Sequence, residues 1–174
     1  YIKKPKNPLF QNKTKVNYGK LQEKTFQLLY EVLKLKPEVK LTIKSKDSFK
    51  ASTNIFAEFQ DRVNFVEGGS GHDLLEKNGI VIAYNGSTVV FEALAAGKIV
   101  FSPYQDLNNG ELFDLKNCTI CSNSKKFLIK NLINCIENKY KQSRSTKKKI
   151  DKLVDLYFNN LDKKAGNRLI SELI

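Results

Sequence analysis

His72 is the only histidine in the chain, which excludes any catalytic triad or metal cluster that needs two. Cysteine is nearly as scarce. Cys118, Cys121 and Cys135 are an odd set that offers no disulfide framework of the kind small secreted domains use, so a reducing cytoplasm is the expected compartment. Cys118 and Cys121 form a Cys-x-x-Cys, yet no second ligand pair completes a zinc site and the segment reads as a short strand. The expected role of these thiols is that of small hydrophobes. No apolar run approaches the roughly 20 residues of a membrane-spanning helix, and no charged-then-apolar leader is present, which predicts a soluble chain. G-x-G-x-x-G is missing, as is an acidic residue closing a following strand, so NAD is not an expected ligand. There is no internal repeat and no low-complexity tract.

Basic charge, by contrast, is plentiful. Thirty Lys and Arg against 18 Asp and Glu give a formal charge of +12, which favours anionic partners: nucleotides, nucleic acid or the acidic face of a membrane. A nucleic-acid surface would interleave aromatics with Lys and Arg on one face. Here Phe and Tyr sit mostly at core periods, and no nucleic acid is expected as partner. A length of 174 residues with 41% hydrophobic content suits one domain with a buried core. The chain opens on Tyr1, which reads as a piece of a longer protein. Residues 1–19, basic and carrying Pro5 and Pro8, are expected to be a linker or the end of a preceding domain, and residues 20–174 the folded domain.

Hydrophobic periodicity orders that domain. Phe26, Leu29 and Leu33, flanked by Leu28 and Val32, predict a helix over 21–35 that Pro37 closes. Val39, Leu41 and Ile43 alternate with polar residues as in a strand, and residues 51–60 suggest a further helix. Strands are predicted over 62–66, 79–83, 99–101 and 117–121, with helices over 73–77, 87–96 and 125–138. Gly97 suits the left-handed cap of the helix before it. The run 79–83 is almost wholly apolar, the mark of a strand covered on both faces. After residue 139 the chain reads as polar helices, with Lys147, Lys148 and Lys149 on a solvated face and a break near 159–162. Strands separated by single helices predict a Rossmann-like three-layer αβα fold around one mostly parallel sheet of about five strands.

In such a sheet ligands bind beyond the carboxyl ends of the strands. Three loops qualify there. Asn85, Gly86, Ser87 and Thr88 couple a buried strand to a helix and offer hydroxyls and unpaired N–H groups to a phosphate. Ser87 or Thr88 as an ordinary helix cap is the plainer alternative. Glu92 falls too late to complete a capping box, and one turn past Thr88 it can accept hydrogen bonds from sugar hydroxyls. Gly68, Gly69, Ser70 and Gly71 form a turn that either contacts the ligand or merely reverses the chain. His72, directly after it, can meet a phosphate or an acceptor group. Lys44 and Lys46, at a strand end, can neutralise a pyrophosphate or simply face water.

The strand and turn Ile80-Val81-Ile82-Ala83-Tyr84-Asn85-Gly86-Ser87-Thr88, followed by Glu92-Ala93-Leu94-Ala95-Ala96-Gly97-Lys98-Ile99-Val100, resemble the donor-site segment of GT-B glycosyltransferases, among them bacterial surface-polysaccharide and capsule enzymes. The ending Asp162-Lys163-Lys164-Ala165-Gly166-Asn167-Arg168-Leu169-Ile170 is similar to the closing helix of that group. The resemblance implies one half of a GT-B fold, the C-terminal donor domain. It places Ser87 and Thr88 at the phosphates of a nucleotide-activated sugar and Glu92 near its ribose or sugar. It implies no metal ion or other cofactor, a catalytic base supplied by the N-terminal domain, and a glycan or lipid-linked acceptor. A cytoplasmic enzyme, peripheral on the inner face of the membrane, would follow. Gly86 departs from the usual Ser or Asn, and 108–116 reads as a local insertion. A sugar-nucleotide 2-epimerase shares the architecture, but its Asp-Ser-Gly-Gly and paired Glu are absent. A basic nucleic-acid module or a partner domain without turnover are the readings from other classes.

Overall fold

A computed structural model describes residues 18–45, 53–84, 87–104, 115 and 117–158. The first helix, α1 (Tyr18–Leu35), buries Leu21, Thr25, Phe26, Leu28, Leu29, Val32 and Leu33 along one side, as its helical spacing of apolar residues dictates. Pro37 ends it, because the residue before a proline avoids helical backbone. Its last carbonyls are held by a side chain from far along the sequence. The Arg62 guanidinium donates to the carbonyl oxygens of Leu33, Lys36 and Pro37 at 3.0 to 3.3 Å and lies 4.8 Å from the centre of the Phe59 ring.

Arg62 also starts the first ladder. Its carbonyl accepts from the Leu41 N–H at 2.8 Å, and from there β1 (Leu41–Ser45) runs parallel to β2 (Val63–Glu67), Leu41 opposite Val63 and Ser45 opposite Glu67. Between them lies a 3-10 helix, Thr53–Phe59. Its three-residue period brings Phe56 and Phe59 to one side, where Phe56 meets Phe26 and Phe65 and Phe59 meets Tyr30. Arg62→Met should lower stability by about 1.5–3 kcal/mol, the worth of hydrogen bonds from a charged donor. Arg62→Lys should recover only part, since an ammonium cannot fork across several carbonyls. An unchanged urea midpoint in Arg62→Met would show that the cap contributes nothing.

The chain then forms α2 (His72–Lys77), β3 (Ile80–Ile82), α3 (Thr88–Ala95), β4 (Ile99–Pro103), β5 (Ile120–Ser122), α4 (Lys125–Ile136) and α5 (Arg144–Phe158). Strands β3, β4 and β5 make a second parallel sheet in that order. Successive side chains on a strand point to opposite faces, and the core divides accordingly. Ile80, Ile82, Ile99 and Phe101 pack with α1, α4, the 3-10 helix and the β1–β2 pair, whereas Val81, Ala83 and Val100 pack with α2, α3 and α5. Helices therefore cover both faces of the three-stranded sheet.

The expected mixed α/β architecture with parallel strands is present, but the single five-stranded sheet is not. Among the described residues the five strands stand in ladders of two and three, and apolar side chains of a shared core pack between the two. Residues 53–59 are 3-10 rather than α-helical, with Phe56 leaving helical backbone at φ −103° and ψ 15°. The last strand starts at Ile120 and not at 117. Asn117 is left-handed at φ 71°, and the Cys118 and Thr119 N–H groups turn back to the Leu115 carbonyl. Lys147, Lys148 and Lys149 lie exposed on α5, as expected. The closing segment 159–174 and most of the insertion 108–116 lie outside the described residues.

Helices α1 and α4 are stapled where α4 ends. Glu137 takes hydrogen bonds from Lys36 and Lys139, which hold its carboxyl at about 2 against an ordinary 4.5, the Lys139 bond being the larger cause. A folded-state pKa below the unfolded one gives stability that is complete above about 4.5 and is lost as pH falls toward 2. The urea midpoint of the native chain should therefore fall more steeply between pH 5 and pH 3 than that of Glu137→Gln. Equal slopes would remove Glu137 from the acid response.

Candidate functional site

The glycine loop follows β2. Gly68 and Gly69 have φ of +62° and +68°, and a Cβ at either would meet nothing within 4 Å. Backbone conformation, not crowding, is therefore what requires glycine there. Lys44, on the neighbouring strand, donates its ammonium to the Gly68 carbonyl, and its Cε lies 3.9 Å from where a Cβ on Gly71 would stand. It therefore lies over the loop. An ammonium has three donors, so this bond does not exhaust it. The Ser70 hydroxyl accepts from the His72 N–H at 3.2 Å, and the Gly71 carbonyl accepts from the N–H groups of Leu74 and Leu75. Ser70 and Gly71 thus build the entry to α2, a structural task beside any contact with ligand. Gly69→Ala should cost about 1–2 kcal/mol, the left-handed penalty, measured by urea unfolding. A cost near zero would mean that the loop has an equally good alternative backbone.

The second loop joins β3 to α3. Tyr84 leaves the strand half-buried toward α1, where burial raises its phenol pKa and a hydrogen bond with Thr25 opposes the rise in part. Ser87 is the N-cap residue of α3, with φ −87° and ψ 132°, yet its side chain makes no capping hydrogen bond. Ser124, in the same place before α4 with φ −85° and ψ 111°, accepts from the Phe127 N–H at 3.3 Å. Two serines share a position and a backbone region, and only one behaves as the plain cap. Thr88 is exposed at the first helical position, and the first turn of α3 carries no acidic side chain. Lys46, Asn85 and Gly86 lie outside the described residues.

Glu92, one turn on, is half-buried and lines a cleft of about 540 Å³ between α2 and α3. His72 lines the same cleft from the start of α2, so the fold brings together two residues that lie 20 positions apart in sequence. Ser87, Thr88, Lys44 and the glycine loop do not line it. Six further residues do: Leu75, Ala95 and Ala96, and the polar or aromatic Glu76, Lys98 and Phe158, to which the sequence reading gave no role in a site. Glu76 was accessible to pattern reading, because it lies four residues after His72 on one helix. Lys98, whose ammonium is 3.4 Å from the Glu76 carbonyl oxygen, and Phe158 at the end of α5 arrive through tertiary packing.

The cysteines have places in the structure. Cys118 and Cys135 are buried, in the α3–α5 and α1–α4 cores respectively, and Cys121 is half-buried on β5. Burial pushes the Cys135 thiol up to about 11. No helix among the described residues is long and apolar enough to cross a membrane. No protein-family model matches the chain, and no curated protein sequence matches it.

Proposed function

We propose that the chain is the Rossmann-like donor-binding domain of a metal-independent GT-B glycosyltransferase, moving a sugar or polyol-phosphate unit from a nucleotide donor to a surface glycan. The observation that carries the reading is the start of α3. Ser87 ends the loop that follows β3, its side chain makes no capping hydrogen bond, and the dipole of a helix start favours an anion at that place. Glu92 lies one turn further and lines the open cleft of about 540 Å³, which extends from there toward Ala95 and Ala96 at the other end of α3.

In this reading the donor phosphates lie against Ser87, Thr88 and the remaining donors of Lys44. Glu92 accepts from hydroxyls of the ribose or the transferred sugar. When the bond to the donor phosphate breaks, negative charge grows on the leaving nucleotide, and fixed N–H groups and a cation stabilise it without reorganising. In this reading His72, which lines the same cleft as Glu92, meets a phosphate or an acceptor group. The resemblance assigns the catalytic base to the N-terminal domain.

A thermal-shift series with UDP, GDP, CDP, CMP and single-stranded RNA tests this. One nucleotide should stabilise the chain, by about 2.7 kcal/mol at a hundredfold excess over its Kd, since a ligand of the folded state alone raises stability. Ser87→Ala and Glu92→Ala should each abolish that shift while leaving the unliganded midpoint little changed. Salt-sensitive stabilisation by RNA, with no nucleotide effect, would replace the proposal by the basic-module alternative.

A further inference from the structure

Away from the α2–α3 cleft, on the other face of the sheet, α1 and α4 enclose a second groove of about 700 Å³. Its apolar part is made by Leu35, which is 58% exposed, and by Ile129 and Ile133. Lys126 and Lys130 form a row beside the two isoleucines, at the same spacing of four residues, and both are exposed. Lys125 is tied to Glu31 across the groove. An apolar stripe with a parallel stripe of positive charge is the complement of one particular object, a helix whose apolar residues recur every three or four positions with carboxylates beside them.

Charge decides among the possible occupants. A second copy of the chain, docked face to face about a twofold axis, would set these lysines against themselves. The chain's own first 17 residues carry five lysines and no carboxylate, and residues 159–174 carry Lys163, Lys164 and Arg168 against Asp162 and Glu172, so neither end supplies the required negative charge. We infer that the α1–α4 groove docks an acidic amphipathic helix of a protein partner. Leucine-sized side chains fill the space over Ile129 and Ile133, and carboxylates pair with Lys126 and Lys130, whose methylene stems add to the apolar lining. The inference does not depend on what the α2–α3 cleft binds.

The test is fluorescence anisotropy of the whole chain with a labelled peptide of leucine and glutamate, about 15 residues long and so roughly four helical turns, with leucines at helical spacing. Saturable binding is expected. Lys126→Glu with Lys130→Glu should weaken it by at least about tenfold, and Ile133→Ser should weaken it as well, with circular dichroism confirming the fold. Lys147→Glu with Lys149→Glu makes the same change in net charge on α5 and should leave binding within about twofold. Equal loss from both double variants would reduce the effect to overall charge and overturn the proposal. So would no binding of the peptide, or its replacement by binding to phosphatidylglycerol vesicles that the Lys126 and Lys130 changes abolish.

Discussion

Arg62 is the contact on which the ordering of this fold depends. Its guanidinium satisfies carbonyls at the end of α1, its stem and planar head cover Phe59, and its own carbonyl begins the β1–β2 ladder. One residue therefore satisfies the end of the helix that Pro37 closes, packs on the 3-10 helix, and makes the first hydrogen bond of the β1–β2 pair. Register matters because a slip of one residue would turn every side chain of β2 to the opposite face. Phe65 would leave the aromatic cluster, and Lys44 would no longer stand opposite Val66.

That register leads to the site. Parallel pairing sends β1 and β2 toward the same end, so Lys44 reaches the Gly68 carbonyl across the top of the ladder. The loop then takes two consecutive left-handed residues, which only glycine adopts cheaply, and drops directly into α2. His72 owes its place on the α2–α3 cleft to this short path. In the second sheet the same logic applies with different parts. Ala83 faces the α2–α3 layer while Tyr84 is anchored under α1, so the chain is held on both faces of the sheet just before it turns into α3.

What the sequence disclosed and what it concealed divide along the range of the interactions. Helix α1 and the cap at Gly97, where φ is +69°, were readable because both follow from neighbours within a turn or two. The strands were readable as strands for the same reason, from alternation at 41–43 and the apolar run at 79–83. Their arrangement in two ladders was not, since a strand's own residues do not state its partner. The 3-10 geometry of 53–59 answers to Phe56 meeting Phe26 and Phe65, contacts across about 30 and 9 positions. At the site, Glu92 stood out by failing to fit a capping box, and His72 by its place after a glycine loop. Lys98 and Phe158 join them only through packing, and the cap formed by Arg62 had no local signature at all.

A local rule fails at Ser87 where Ser124 obeys it. An N-cap serine that makes its hydrogen bond is worth about 0.5–2 kcal/mol to its helix, and Ser124 makes one. Ser87 has nearly the same backbone angles and makes none, so this stabilisation is forgone at the one helix that starts directly after β3. Sequences consistent at every other level depart from local rules chiefly at functional sites. The two first turns also differ: at α3 the Val90 N–H donates to the Ser87 carbonyl at 3.1 Å, whereas at α4 the Phe127 N–H donates to the Ser124 hydroxyl and the Leu128 N–H to the Ser124 carbonyl. In the proposed function an anionic group bound against the start of α3 meets the Ser87 hydroxyl, the helix dipole favours its charge, and it competes with the Ser87 carbonyl for the Val90 N–H.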